Sequence, residues 1–534
     1  MAVRAAVVAV LLLTSGLVGC IGIVEDEPMK QEAEAPPLTP MDRSTGGLEE
    51  AQPTQRVDLS DGDSFELTAS YVKHDPGTGE EIRMMAYNGQ IPGPELHLPQ
   101  GAEVDVTFTN DLDQPTTVHW HGLRLDNPND GVPNLTQQPV QPGESFEYTI
   151  EVPDAGVFWY HPHVRTDVQK ELGLYGAIVV DPPKEDTERY PDESVLHLDD
   201  MRLVDGDVPD VYEEAVTYAD SGRWGNQPFV NGTAEADVEV APGERHRLHL
   251  INPSNARTWR LNFQGFATVE KVAAGPSYLE QPREIHGLRL GPAERATVDV
   301  EVDAESSARI VDEATTWTLA TVTSSFEALG QSVVVQEAPS GPHERAQAED
   351  REGFLAEEPD HTEHLRMLRN ETMPADPNAS DDGHGGHDHS APDPPAGEVN
   401  AQPTDRELAW QLVDVPTGEV QPRYQYEVGD VVEFTVDIVH EHGGGGDHAA
   451  HSPVPHTVHL HGQRFMVSDY GGEDPEERVW KDTVLANDPV RDYQSVTIQV
   501  EMSNPGTWLI HCHISEHSEA GMTAVVEVEP ASDA

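Results

Sequence analysis

The chain has 534 residues, enough for three or four domains of ordinary size. It carries 97 acidic and 32 basic residues, a net charge of −65, with only six lysines among the basic residues. Phosphate recognition needs a basic face, so this balance argues against nucleic acid as a partner and against an anionic membrane surface. Two cysteines, Cys20 and Cys512, exclude a disulfide framework and a cysteine-rich zinc fold.

From the N-terminus, Arg4 precedes an apolar stretch, Ala5 to Val18, that closes on Leu17-Val18-Gly19-Cys20. The stretch is short for a membrane span, which needs about 20 apolar residues. Residues 1–20 therefore read as a signal peptide with a lipobox, in which Cys20 becomes a lipid-anchored mature N-terminus. Residues 21–55 are acidic and proline-rich without periodicity, and read as a flexible tether. Export to the cell surface or beyond follows, and four sequons at Asn134, Asn231, Asn370 and Asn378 agree with it.

Beyond residue 55 the pattern becomes alternating. A glycine turn followed by alternating apolar residues occurs three times, from Gly101 to Asn110, from Gly243 to Asn252 and from Gly429 to Ile438. A second shared element recurs in the same order, ending at Ile150, Val300 and Val500. Period two with turns between strands predicts antiparallel β-sandwiches, and three copies predict three domains. The reading is all-β, with domains at 56–184, 185–340 and 403–534. Between the last two, residues 341–402 are rich in Pro, Gly, His and acid, and are expected to be a linker.

These alternating segments need a core, so the acidity does not mean disorder. Self-repulsion at −65 is tolerated when salt screens it, the Debye length falling to about 3 Å at molar salt. The charge points to a salt-adapted organism, a halophilic archaeon.

Ten of the 26 histidines fall in four clusters. They are His119-Trp-His121, His161-Pro-His163, His456-Thr-Val-His459-Leu-His461, and His511-Cys512-His513 with His517 and then Met522. On a strand, residues i and i+2 share a face, about 6.6–6.8 Å apart. Four His-x-His pairs can thus offer eight imidazoles to one site. Cys512, between two of them, must face the other way, so one strand would feed two metal sites. A thiolate, two imidazoles (His456 and His517) and a weak thioether (Met522) are the ligands of a blue-copper site. Any single cluster would also suit zinc, but eight imidazoles together are not a zinc arrangement.

On these motifs the chain resembles the multicopper oxidases, the family of laccases, bilirubin oxidases and cuprous oxidases, over residues 56–530. The resemblance implies three cupredoxin-like Greek-key domains and four coppers. It implies that His119 and His459 bind the type 2 copper, and that His121, His161, His163, His461, His511 and His513 bind the type 3 pair. Cys512, His456 and His517 would hold the type 1 copper, with Met522 axial. Electrons would enter at a solvent-near His517 and cross Cys512 to His511 and His513, to reduce dioxygen. Asp130 matches an acidic residue that serves the cluster in relatives, although Asp130-Gly131 is also an ordinary turn signal. Ser518 stands where bacterial relatives often carry Glu, which questions proton delivery on that side. The second domain has Ile251-Asn-Pro-Ser-Asn255-Ala-Arg257 in place of the first motif, which implies a copper-free spacer.

The substrate is less legible. The expectation is a laccase-like oxidase of phenols or aromatic amines. The alternatives are a metallo-oxidase of Cu(I), Fe(II) or Mn(II), and a copper storage or electron-transfer protein without turnover. The linker holds only Met367 and Met373, but two histidine tracts, His384 to His389 and His440 to His451, would suit copper collection or be incidental in polar loops.

Overall fold

The computed structural model describes residues 42–182, 192–208, 221–325, 351, 354–355, 357–369, 410–439, 454–488 and 493–531. Six sheets pair into three β-sandwiches. The strand Glu103–Asn110 illustrates why: Val104, Val106, Phe108 and Asn110 point inward, while Glu103 and Asp105 are exposed. In the first sandwich a four-stranded sheet (Ile82–Tyr87, Ser64–His74, Glu103–Asn110, Ser145–Glu151 in spatial order) faces a five-stranded one. That second sheet runs Arg56–Asp58, Glu95–Pro99, Gly176–Asp181, Gly156–His161, His119–His121, and so places the first two histidine motifs side by side at its edge. In the third sandwich the sheet Arg423–Glu427, Thr523–Glu529, Gly506–Cys512, Thr457–Leu460, Thr483–Leu485 does the same for the last two. Each sandwich encloses its own apolar core.

Two sequence readings need correction. Within the stretch 341–402 read as a linker, His361–Arg369 is a strand of the third sandwich. It pairs in parallel with Val431–Val439 and antiparallel with Trp410–Asp414, and it buries Leu365 and Met367 completely. Met367 is thus a core residue. The alternation is only two inward positions long and is flanked by acidic sequence, which hid it. Phe354 also packs its ring on Trp480 at 4.9 Å. The tether assigned to 21–55 is likewise too long: Ala51 donates to the Lys73 carbonyl and Gln52 to that of Gly89, so this end extends a sheet edge. The signal segment 1–20, Cys20, Met373 and both histidine tracts lie outside the described residues.

Candidate metal centres

Strand pairing sets the histidines opposite one another. In the first sandwich His119 is paired with His161 and His121 with Trp159. In the third, His459 is paired with His511 and Val458 with Cys512. The two edges meet face to face. The His121 and His459 rings stack at 3.8 Å between centroids, the His119 and His461 rings lie 4.0 Å apart, and His121 approaches His513 at 5.0 Å. His163 stands 5.4 Å from His511, and the Nε2 atoms of His461 and His511 are 3.1 Å apart. All eight His-x-His imidazoles therefore share one chamber, and all but the partly exposed His163 are buried.

Three triads in this chamber bring one nitrogen each to within 4.8 Å of one another: His119, His459 and His461; His121, His161 and His513; His163, His461 and His511. Backbone carbonyls orient the rings from behind. The Nδ1 of His119 faces the Asp130 carbonyl at 2.7 Å, that of His161 the Pro162 carbonyl at 2.9 Å, that of His459 the Asp482 carbonyl at 2.8 Å, and that of His511 the Cys512 carbonyl at 2.8 Å. With the proton held there, the opposite nitrogen turns its lone pair inward. The Nε2 atoms of His119, His161 and His459 are buried with no hydrogen-bond partner, as are both nitrogens of His513. Buried polar atoms are rarely orphaned, and orientation of the far nitrogen is what metal-binding imidazoles show. Burial, then mutual repulsion among the rings, holds His121, His161, His163, His459, His461 and His513 well below the usual imidazole range. Burial brings His511 down to about 4. At neutral pH these rings are uncharged donors, which is the form a cation needs.

Two buried carboxylates brace the chamber. Asp130 sets one oxygen 3.0 Å from His461 Nδ1 and the other 3.3 Å from His119 Nδ1. Its turn also needs Gly131, at φ +83°, because a Cβ there would sit 1.9 Å from the Val118 carbonyl oxygen. Asp482 lies 3.6 Å from His121 Nδ1 and 3.8 Å from His459 Nδ1, and Thr483 donates its hydroxyl to it at 2.8 Å. Sequence reasoning missed Asp482, and it missed the partner that holds it. Arg295, from the second sandwich, forks onto both Asp482 oxygens at 2.7 and 2.5 Å and also donates to the carbonyls of Val157 and Ala293. Bidentate pairing of this kind fixes a carboxylate in place. The second sandwich thus braces the chamber wall. An arginine in strand sequence carries no local sign of such a role, so only the folded chain reveals it.

On the opposite face of the strand Gly506–Cys512 lies a separate cluster. Cys512 Sγ stands 3.5 Å from His456 Nδ1 and 3.8 Å from His517 Nδ1, with all three residues buried. Met522 is fully buried, and its backbone brackets the site, donating to the His517 carbonyl and accepting from the Cys512 amide. Burial pushes the Cys512 thiol up to about 12, so a thiolate here requires a neighbouring cation. His517 is not near solvent as expected. It has no exposed surface, and the Trp410 ring lies across it at 4.2 Å. Ser518 does reach the chamber, its hydroxyl 3.2 Å from His511 Nδ1, while the Glu519 carboxylate is turned to the Thr166 amide at 2.8 Å. Glu516, between the strand and His517, is buried against Asn255 of the second sandwich at 2.9 Å.

Comparison with known proteins agrees with this geometry. The family described as multicopper oxidase matches residues 68–185 and, by a second pattern of the same description, residues 405–532. "Multicopper oxidase mco" of Staphylococcus aureus is 25% identical, over 87% of this chain and 88% of its own length. "Laccase-1" of Thanatephorus cucumeris is 26% identical, over 83% of this chain and 86% of its own. The crystal structure of a multi-copper oxidase from Pseudomonas thermotolerans superposes with a TM-score of 0.64 at 27% identity, covering 88% of this chain and all of that one. With three cupredoxin-type sandwiches, buried imidazole clusters fit to bind copper, and family matches at both ends, the chain belongs to the multicopper oxidases, oxidoreductases that use dioxygen.

Proposed function

We propose that the chain couples one-electron oxidation of phenols or aromatic amines to the four-electron reduction of dioxygen to water. The observation that carries this is one strand whose two faces serve two clusters, Cys512 on one side, His511 and His513 on the other. In this reading His119 and His459 hold a type 2 copper, and His121, His161, His163, His461, His511 and His513 hold a type 3 pair. Cys512, His456 and His517 hold a type 1 copper, with Met522 beside it. Copper bound there, four ions per chain, supplies the one-electron steps and the storage of charge that dioxygen reduction needs. The residues supply the rest. The orienting carbonyls and the carboxylates of Asp130 and Asp482 fix the imidazoles. Trp410, itself buried, closes the outer cluster with its ring across His517, and the likeness to a protein named laccase supports a phenol or arylamine as the electron donor.

A second reading is oxidation of Cu(I), Fe(II) or Mn(II). The burial of His517 favours it, because a bulky phenol cannot touch the imidazole, and a surface of this charge concentrates cations. Dioxygen uptake by the copper-loaded protein in concentrated salt separates the two. Dimethoxyphenol is expected to drive uptake faster than Cu(I). Uptake with Cu(I) alone overturns the first reading, and no uptake with any donor overturns both in favour of copper storage.

A further inference from the structure

Another set of histidine and carboxylate side chains, none of them in either cluster described above, meets in the seam between the first and second sandwiches. Strand geometry puts them there. In Glu95–Pro99, Glu95 and His97 share a face, and His97 Nε2 lies 2.5 Å from the Glu95 carboxylate. In the second sandwich Val195 is paired with His249, and His249 in turn with Thr297. Glu193, two residues before Val195, therefore points to the same side as His249. His249 Nδ1 lies 3.0 Å from the Thr297 hydroxyl, and its Nε2 is 3.1 Å from one Glu193 oxygen. The other Glu193 oxygen lies 3.7 Å from His97 Nδ1.

Each ring thus spends one nitrogen on a carboxylate or hydroxyl, the orienting contact that metal-bound histidines make. The other nitrogen of each converges on one carboxylate. The His97 side chain is 1% exposed and that of His249 3%, and His97 Nδ1 has no hydrogen-bond partner. Ligand atoms around a tetrahedral zinc, with bonds of about 2.0–2.1 Å, stand about 3.3 Å apart. The two imidazole nitrogens face the two Glu193 oxygens, one each, at 3.1 and 3.7 Å, separations of the same order. Asp181 lies close enough to interact electrostatically with Glu193 and both imidazoles, and the proximity of Glu193 adds to burial in raising its pKa. Among the described residues the arginine in contact is Arg56, 3.1 Å from Glu193, on a side chain 46% exposed and so able to leave.

We propose that His97, His249 and Glu193 form a binding site for a divalent late transition metal of the zinc class, which ties the first sandwich to the second. Two imidazoles and a carboxylate suit such an ion, and no redox chemistry is needed of it.

The test uses the full-length copper-loaded protein, freed of loosely held metal by a chelator and titrated with Zn2+ at neutral pH. Zinc per chain is read by elemental analysis and stability by Tm. The wild type is expected to bind one zinc more than H97Q, H249Q or E193Q, with oxidase turnover unchanged in all three. Its Tm is expected to rise by about 3 °C with zinc, a rise the variants lose. Equal zinc content and equal Tm shifts in wild type and E193Q, which keeps the side chain's size, overturn the proposal and leave an ion-pair network only. So does a wild-type Tm that zinc does not move, whatever the variants do.

Discussion

At the scale of single residues, the chemistry depends on a few side chains whose replacement has defined consequences. Cys512→Ser removes the buried thiol beside His456 and His517. Loss of the blue absorption band and of all turnover is the expected result, read by visible spectroscopy and dioxygen uptake. Met522→Leu exchanges a thioether for a group that donates nothing, and redox titration is expected to show a higher type 1 potential. Arg295→Met leaves Asp482 buried without its bidentate partner, beside His121 and His459. Breaking a buried pair in this way costs about 3–5 kcal/mol. Copper analysis and electron paramagnetic resonance should therefore find depleted or distorted type 2 copper in that variant, while the blue band survives. The conservative Arg295→Lys keeps the charge but not the fork, and an intermediate result is expected.

At the scale of elements, most of what the motifs say about the site was readable. Period-two alternation names the strands, and it also dictates that Cys512 faces away from His511 and His513. Two kinds of feature were not readable. Strands such as His361–Arg369, with few inward apolar positions, exist because neighbours on both sides supply hydrogen bonds, and nothing local announces that pairing. Residues such as Arg295 and Asn255 act across domain boundaries, and no spacing rule links them to the motifs they serve. The strand His361–Arg369 is nonetheless part of a core: Leu365→Ala is expected to destabilise the protein by about 2–5 kcal/mol in denaturant unfolding. A true linker would tolerate it without change.

For the whole molecule, pH and salt act through charge. The imidazoles of His121, His161, His163, His459, His461, His511 and His513 are held below the ordinary value of about 6.5 when folded, and return to it when the chain unfolds. Below pH 6.5 the unfolded chain takes up protons that the folded chain refuses. The stability that these imidazoles contribute to the copper-free protein is therefore fully present above about 6.5 and is lost as pH drops toward 4, the value of His511. Thermal melts of apoprotein across that range should show the decline. The net charge of −65 makes a second prediction: Tm rises steeply as salt is added, since screening relieves self-repulsion. A Tm indifferent to salt would remove the case for salt adaptation.

The alternation of the strand Gly506–Cys512 has one more consequence. A slip of a single residue against its neighbours would turn every side chain to the other face, sending the thiol into the imidazole chamber and the imidazoles out of it. No misaligned chain can then fill either centre. A blue band in the copper-loaded protein would thus be expected only where the last sandwich is knitted in the correct frame.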